Sequence, residues 1–158
     1  MQTRFLIITG MSGAGKTQVV RTLEDLKYFC IDNLPAALIP KFAELCRQTS
    51  ESNVALVVDV RGGQFFDKLL QVLDEITASG QKYELLFLDA DDATLVRRYK
   101  ETRRRHPLGD SDTLLDNLAQ ERQLLEPLLE KASYIINTSE LNATELKNRI
   151  KELFSTDN

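Results

Sequence analysis

The sequence predicts an α/β fold, a five-stranded parallel sheet with helices on both faces. Two observations carry that prediction. Short apolar runs alternate with longer segments whose apolar residues recur at helical spacing, the pattern of strand–helix–strand crossovers. The runs also end in glycine or aspartate, at Gly10, Asp32, Asp59 and Asp89. In such sheets ligands gather at the carboxyl ends of the strands, so these four positions become candidates for function.

Phe5-Leu6-Ile7-Ile8 is the first strand, and a helix opens near Lys16 with Val19, Val20, Leu23 and Leu26 on one face. Tyr28-Phe29-Cys30-Ile31 reads as a short buried strand ending at Asp32. Pro35 suits the first turn of a helix through Leu38, Phe42 and Leu45. Val54 to Val58 is the most apolar short run and reads as a central strand. Gly62-Gly63 breaks the chain before a helix carrying Phe65, Phe66, Leu69, Leu70, Leu73 and Ile76, which Gly80 closes. Tyr83 to Leu88 is the fourth strand. A helix from Asp92 places Leu95, Val96 and Tyr99 on one face and then turns basic. Pro107-Leu108-Gly109-Asp110 interrupts it. A long helix resumes near Thr113 toward Lys131, with Pro127 as an expected kink or break. Tyr134-Ile135-Ile136 is the fifth strand, and Asn142 caps a last helix ending around Phe154. Residues 1–154 therefore read as one domain and 155–158 as a tail.

Composition narrows the function classes. With 158 residues, 42% hydrophobic and 28% charged, the chain has the make-up of an ordinary globular domain with a sizeable core. A net charge of −4 argues against a general nucleic-acid coat while leaving room for a local basic patch. Two cysteines, Cys30 and Cys46, and one histidine, His106, show no metal-ligand spacing, which argues against structural zinc. Reduced, buried thiols in a cytoplasmic protein are the expectation. No apolar stretch is long enough to span a bilayer, and no signal-peptide cleavage pattern follows Arg4.

The chemistry concentrates at Gly10-Met11-Ser12-Gly13-Ala14-Gly15-Lys16-Thr17, a G-x-x-x-x-G-K-[ST] phosphate loop between a strand and a helix. Its glycines permit the tight turns that aim successive N–H groups at a polyphosphate. The helix N-terminus adds positive potential. Lys16 would reach the β- and γ-phosphates, and the Thr17 hydroxyl would hold Mg²⁺. With this loop the α/β fold becomes a P-loop, NTPase- or kinase-like one.

Asp59-Val60-Arg61-Gly62 follows the third strand as D-x-x-G. Asp59 suits the nucleotide's Mg²⁺, and the Gly62 amide can approach a γ-phosphate; a plain turn is the bland alternative. Arg61 is either a stabiliser of charge on a transferred phosphoryl group or a solvated surface arginine. Asp32 either orients an acceptor hydroxyl or attacking water, or caps a helix. Arg97-Arg98-Tyr99-Lys100-Glu101-Thr102-Arg103-Arg104-Arg105 is a basic concentration in an acidic chain. It reads as a lid closing over phosphates, as a solvated helix face, or as a polyanion or RNA surface without the aromatics that stack bases. His106 fits packing or solvent better than the role of a base. No N-K-x-D occurs, so the guanine-reading element of regulatory GTPases is missing and nothing selects guanine over adenine.

GMSGAGKT at Gly10–Thr17, DNLP at Asp32–Pro35, DVRG at Asp59–Gly62 and LDADDATLVRRYKETRRRHPL at Leu88–Leu108 together resemble the RapZ/YvcJ family of bacterial nucleotide-binding proteins, over essentially the whole chain. The resemblance implies ATP binding at Gly10 to Thr17, GTP binding at Asp59 to Gly62, slow ATPase and GTPase activity, and a kinase-like amino-terminal domain. Members of that family are longer. Their carboxy-terminal domain is assigned small-RNA binding and amino-sugar phosphate sensing in the best-known branch. An RNA or protein partner is therefore expected to engage that missing domain, and the chain is expected to be an excised amino-terminal domain; oligomerisation stays open.

Three functions fit. One is a switch domain that hydrolyses ATP, and GTP as a second substrate, with Mg²⁺. Here Lys16 and the loop amides neutralise phosphate, Thr17 and Asp59 position the metal, and Arg103 and Arg104 close the site. The second is a small-molecule kinase with Asp32 orienting the acceptor. The third is an adapter in which nucleotide only orders a lid.

Overall fold

A computed structural model describes residues 4–32, 34–49, 53–58, 63–80, 82–102 and 114–155. Five parallel strands run through them, β1 (Phe5–Gly10), β2 (Phe29–Asp32), β3 (Val54–Val57), β4 (Glu84–Asp89) and β5 (Tyr134–Asn137), in the order β2-β3-β1-β4-β5. The helices are α1 (Lys16–Asp25), α2 (Ile39–Thr49), α3 (Gly63–Ala78), α4 (Asp92–Thr102), α5 (Leu114–Glu130) and α6 (Ala143–Phe154).

The sheet has its centre at β1, and all six β1 residues are buried. Both neighbours pair with it in parallel: Phe5 lies opposite Val54, and Gly10 opposite Leu88. Val54–Val57 is an interior strand, as its unbroken apolar run requires, one place from the centre. Right-handed crossovers place α1 on the face opposite the helices that follow β2 and β3. Accordingly α6 folds back onto α1, while α2 packs with α3.

Four local expectations need correction. Phe29–Asp32 is an edge strand rather than a buried one, and the Phe29 ring is 57% exposed. Its apolar residues fitted a buried strand, but only the strand order could reveal that one side lacks a neighbour. The helix expected from Pro35 begins instead as a 3₁₀ turn at Ala36–Leu38 capped by Pro35, and α2 starts at Ile39. Its buried face is therefore Ile39 and Ala43, whereas Leu38 and Leu45 are exposed. Pro127 neither ends nor splits α5. It forfeits one backbone bond to the carbonyl of Gln123, an exposed position where water can take that place. Cys30 is a free thiol only half buried; burial pushes its pKa up to about 11. The side chain of Cys46 lies outside the described residues.

Asn142 does cap α6. Its side chain accepts from the Glu145 amide at 2.8 Å while Glu145 accepts from the Asn142 amide at 3.0 Å, a reciprocal capping box. Gly80 has φ +87° just past α3, a conformation that glycine adopts without strain.

At the amino ends of the strands, Arg4 makes a two-pronged bond to Glu84, with Nε and Nη2 each 2.8 Å from a carboxylate oxygen. Tyr134 donates to the same carboxylate at 2.8 Å, and the guanidinium lies 5.0 Å above the Phe154 ring. Nη1 also donates to the Leu153 carbonyl at 3.3 Å. One guanidinium thus joins the chain before β1, the start of β4 and β5, and the end of α6. The hydrogen bond that Arg4 donates holds the Glu84 carboxyl below its usual range and raises the pKa of Arg4 itself. Glu84→Gln is expected to cost about 1–3 kcal/mol at neutral pH, since both partners are mostly shielded from water. Because the native pKa is depressed, this contribution is fully present above about pH 4.3 and fades as pH falls through the native value. Urea unfolding at about pH 7 and about pH 3 should show a smaller gap between wild type and variant at the lower pH; a gap that does not narrow would contradict the assignment.

Candidate functional site

The loop after β1 is built by glycines where the backbone has no alternative. Gly10 has φ +144°, and a Cβ there would stand 2.2 Å from the Leu88 carbonyl oxygen. This contact lets the chain leave the sheet pressed against β4, and the Met11 amide then donates to that same carbonyl at 3.0 Å. Gly13 and Gly15 have φ +85° and +112°, so the turn winds through left-handed conformations that other residues reach only with strain. Ala14 donates to the Met11 carbonyl at 3.1 Å and closes the turn. Gly15 is the N-cap of α1 and makes no side-chain cap bond. The amides at the start of α1 thus face the loop's hollow, the arrangement that favours anions.

Lys16 is the first residue of α1, and its ammonium reaches back across the loop to donate to the Gly10 carbonyl at 2.9 Å. Thr17, the next residue, is exposed. Among the described residues no three acidic, histidine or cysteine groups cluster as a metal cage.

The neighbouring loops lock the phosphate loop in place. Thr138, at the end of β5 and 1% exposed, donates from Oγ1 to the Ala14 carbonyl at 2.8 Å. Arg98 on α4 donates to the Gly13 carbonyl at 3.1 Å, to Thr138 Oγ1 at 2.9 Å and to the Thr138 carbonyl at 2.6 Å. Its guanidinium pKa is lowered, mainly by burial. Arg98 lies inside the expected lid, yet in this structure it is a clamp on the loop's outer carbonyls. Arg97 instead is exposed and pairs at 4.0 Å with Glu101, as a solvated helix face would.

Sequence reasoning missed a second set of contacts, from α5. Arg122 bridges Asp89 and Asp92 at 2.8 Å each and donates to the Ala90 carbonyl at 2.6 Å. Asp89, a strand-end candidate, is therefore engaged by arginine and by the Ala90 amide at 2.7 Å. The preceding residue, Glu121, sends its carboxylate into the phosphate loop, where it accepts from Ser12 Oγ at 2.8 Å and from the Ser12 amide at 3.2 Å. Neither residue belongs to a local motif. Two polar atoms, Thr9 Oγ1 and Asn117 Nδ2, are buried without a hydrogen-bond partner among the described residues.

Of the sequence candidates, the structure brings together Gly10, Met11, Ser12, Gly13, Ala14, Gly15, Lys16 and Thr17. Asp32 is exposed at the carboxyl end of β2 and is not a helix cap, since Pro35 holds that position. Asp59, Val60, Arg61, Gly62, Arg103, Arg104, Arg105 and His106 lie outside the described residues.

A family model described as the RapZ-like N-terminal domain matches residues 3–158. The chain belongs to this family. A protein of Clostridium botulinum named only as nucleotide-binding is 52% identical over 153 residues, covering 96% of this chain and 52% of the relative. A nucleotide-binding protein of Clostridium acetobutylicum is 49% identical over 156 residues, covering 98% of this chain and 53% of the relative. The chain thus spans about half the length of the curated relatives it matches. Among solved structures, shikimate kinase from Bacteroides thetaiotaomicron is similar with a TM-score of 0.64, at 22% identity over 97% of this chain and 98% of that one. Shikimate kinase from Acinetobacter baumannii in complex with shikimate gives a TM-score of 0.62, at 22% identity over 96% of this chain and 92% of that one. These likenesses establish the P-loop kinase fold. Among the described residues no helix is long and apolar enough to cross a membrane.

The Gly10 contact yields a direct test. Gly10→Ala cannot keep both the left-handed turn and the approach to Leu88, and should lose about 3 kcal/mol or more of stability, or fail to fold. Thermal unfolding is the measurement; native-like melting would show that the loop need not press on β4.

Proposed function

We propose that the domain binds a nucleoside triphosphate at Gly10–Thr17 and hydrolyses it slowly with Mg²⁺, ATP first and GTP as a second substrate, as a cytoplasmic regulatory switch. The observation that supports this most is the loop itself, where Gly13 and Gly15 adopt positive φ and Lys16 opens α1. In this reading the loop amides and a reoriented Lys16 neutralise the β- and γ-phosphates. Thr17 and Asp59 would hold Mg²⁺, which would supply charge neutralisation. Asp32 orients the attacking water. As the water oxygen bonds to the γ-phosphorus, the bond to the β–γ bridging oxygen breaks, giving nucleoside diphosphate, inorganic phosphate and a proton. Arg61 and the Gly62 amide face the charge that develops, Val60 belongs to the same nucleotide-binding stretch, and Arg103 and Arg104 close over the phosphates.

Residues 1–154 form the nucleotide-binding unit in this reading, with 155–158 as a tail. Any RNA or protein partner is assigned to the further half present in the longer relatives.

A kinase reading is favoured by one observation, the exposed carboxylate of Asp32 at the carboxyl end of β2, beside the strand that leads to Asp59. Phosphate release decides between the two. Hydrolysis of ATP at the same rate with and without candidate hydroxyl acceptors supports the switch; transfer to an acceptor far faster than hydrolysis overturns it. Lys16→Ala should reduce hydrolysis at least about 100-fold with unchanged thermal unfolding, and normal turnover would remove the loop from the chemistry. Asp59→Asn should reduce Mg²⁺-dependent turnover more than nucleotide affinity; equal losses would make Asp59 structural.

A further inference from the structure

The Glu121 carboxylate occupies the phosphate loop. It accepts from Ser12 Oγ at 2.8 Å and spans the Ser12 amide with its two oxygens at 3.2 and 3.4 Å. These are the donors on the rim of the loop away from α1, whereas a β-phosphate lies against the amides on the helix side. A terminal phosphate continues outward from there, toward the rim that Glu121 holds. Two anions then compete for one set of donors.

We propose that Glu121 makes this site discriminate by phosphate number, admitting a nucleoside diphosphate with the carboxylate in place and a triphosphate only once it has left Ser12. This rests on the reading of Gly10–Thr17 as a nucleotide site and names which nucleotides that site prefers.

The position of Glu121 is enforced. Arg122, the next residue, is fixed to Asp89, Asp92 and the Ala90 carbonyl, while Leu118, Leu125 and Leu128, on the same stripe of α5 as Glu121, are buried in the core. The helix is therefore held, and a change of seat by the half-buried Glu121 carboxylate is a rotation about its own side-chain bonds. Asn117 stands one turn earlier on α5, 7% exposed, with Nδ2 buried and without a hydrogen-bond partner among the described residues.

The charge is the operative property. Glu121→Gln keeps size and hydrogen-bonding reach while removing repulsion toward a terminal phosphate. The experiment is calorimetric titration of wild type, Glu121→Gln and Lys16→Ala with ADP and with a non-hydrolysable ATP analogue, both with Mg²⁺. Wild type should bind ADP more tightly than the analogue. In Glu121→Gln the analogue should gain about tenfold or more, and ADP less than about twofold. Equal gains for both ligands, or none for the analogue, overturn the proposal. Loss of turnover in Glu121→Gln with both affinities unchanged also overturns it, because the carboxylate would then act on the reaction. Lys16→Ala separates the two levels: if it binds both ligands as wild type does, the nucleotide site itself is misplaced, whatever Glu121 does.

Discussion

The approach of Gly10 to the backbone of Leu88 fixes the geometry of everything above the carboxyl edge of the sheet. A parallel pair of strands ordinarily diverges once its ladder ends. Here the chain of β1 stays against β4 for one residue more, because only hydrogen occupies the place of a side chain. The Met11 amide then takes the Leu88 carbonyl, and the loop is launched from a fixed point. The hollow in front of α1, the reach of Lys16 and the access of Ser12 to α5 all follow from that point. So does the bond from Thr138 to Ala14, because β5 ends level with β4, with Asn137 opposite Asp89.

Much of the fold was legible because its signals are local. Val54–Val57 is buried on all four residues, as an unbroken apolar run implies, and Asn142 with Glu145 forms the cap that its spacing announces. The phosphate loop was legible for the same reason, since the G-x-x-x-x-G-K-T spacing encodes both its turns and its helix start. Where the reading failed, the deciding fact lay elsewhere in the chain. Phe29 is exposed because β2 is outermost in the sheet, which its own neighbours in sequence do not reveal. Arg122 meets Asp89 across 33 positions, and Glu121 meets Ser12 across 109. No periodicity records such pairs. Arg98 is an intermediate case: its basic surroundings marked the segment, but the shape of the loop beneath turned one arginine of the run inward and left Arg97 in solvent.

Two layers of polar contact divide the work between the ends of the strands. At the amino ends, Arg4, Glu84 and Tyr134 form a closed cluster whose donors and acceptors are matched, roofed by the Phe154 ring. That end has the character of a fixed base. At the carboxyl ends, Lys16 is turned onto a carbonyl, a carboxylate rests on backbone N–H, and Thr9 carries a buried atom without a partner among the described residues. Matched clusters rigidify, whereas partly matched ones have alternatives of similar energy. The difference between the two ends is what separates a scaffold from a site.

Both outer strands, β2 and β5, are only four residues long and carry Phe29 and Ile135 with more than half of each side chain in solvent. An open strand with an apolar outer residue is a template on which another chain can add itself, and short length is one of the devices that blunts it. The tolerance of this domain for crowding, and its route back from the unfolded state without self-association, therefore depend on how little backbone these two edges offer.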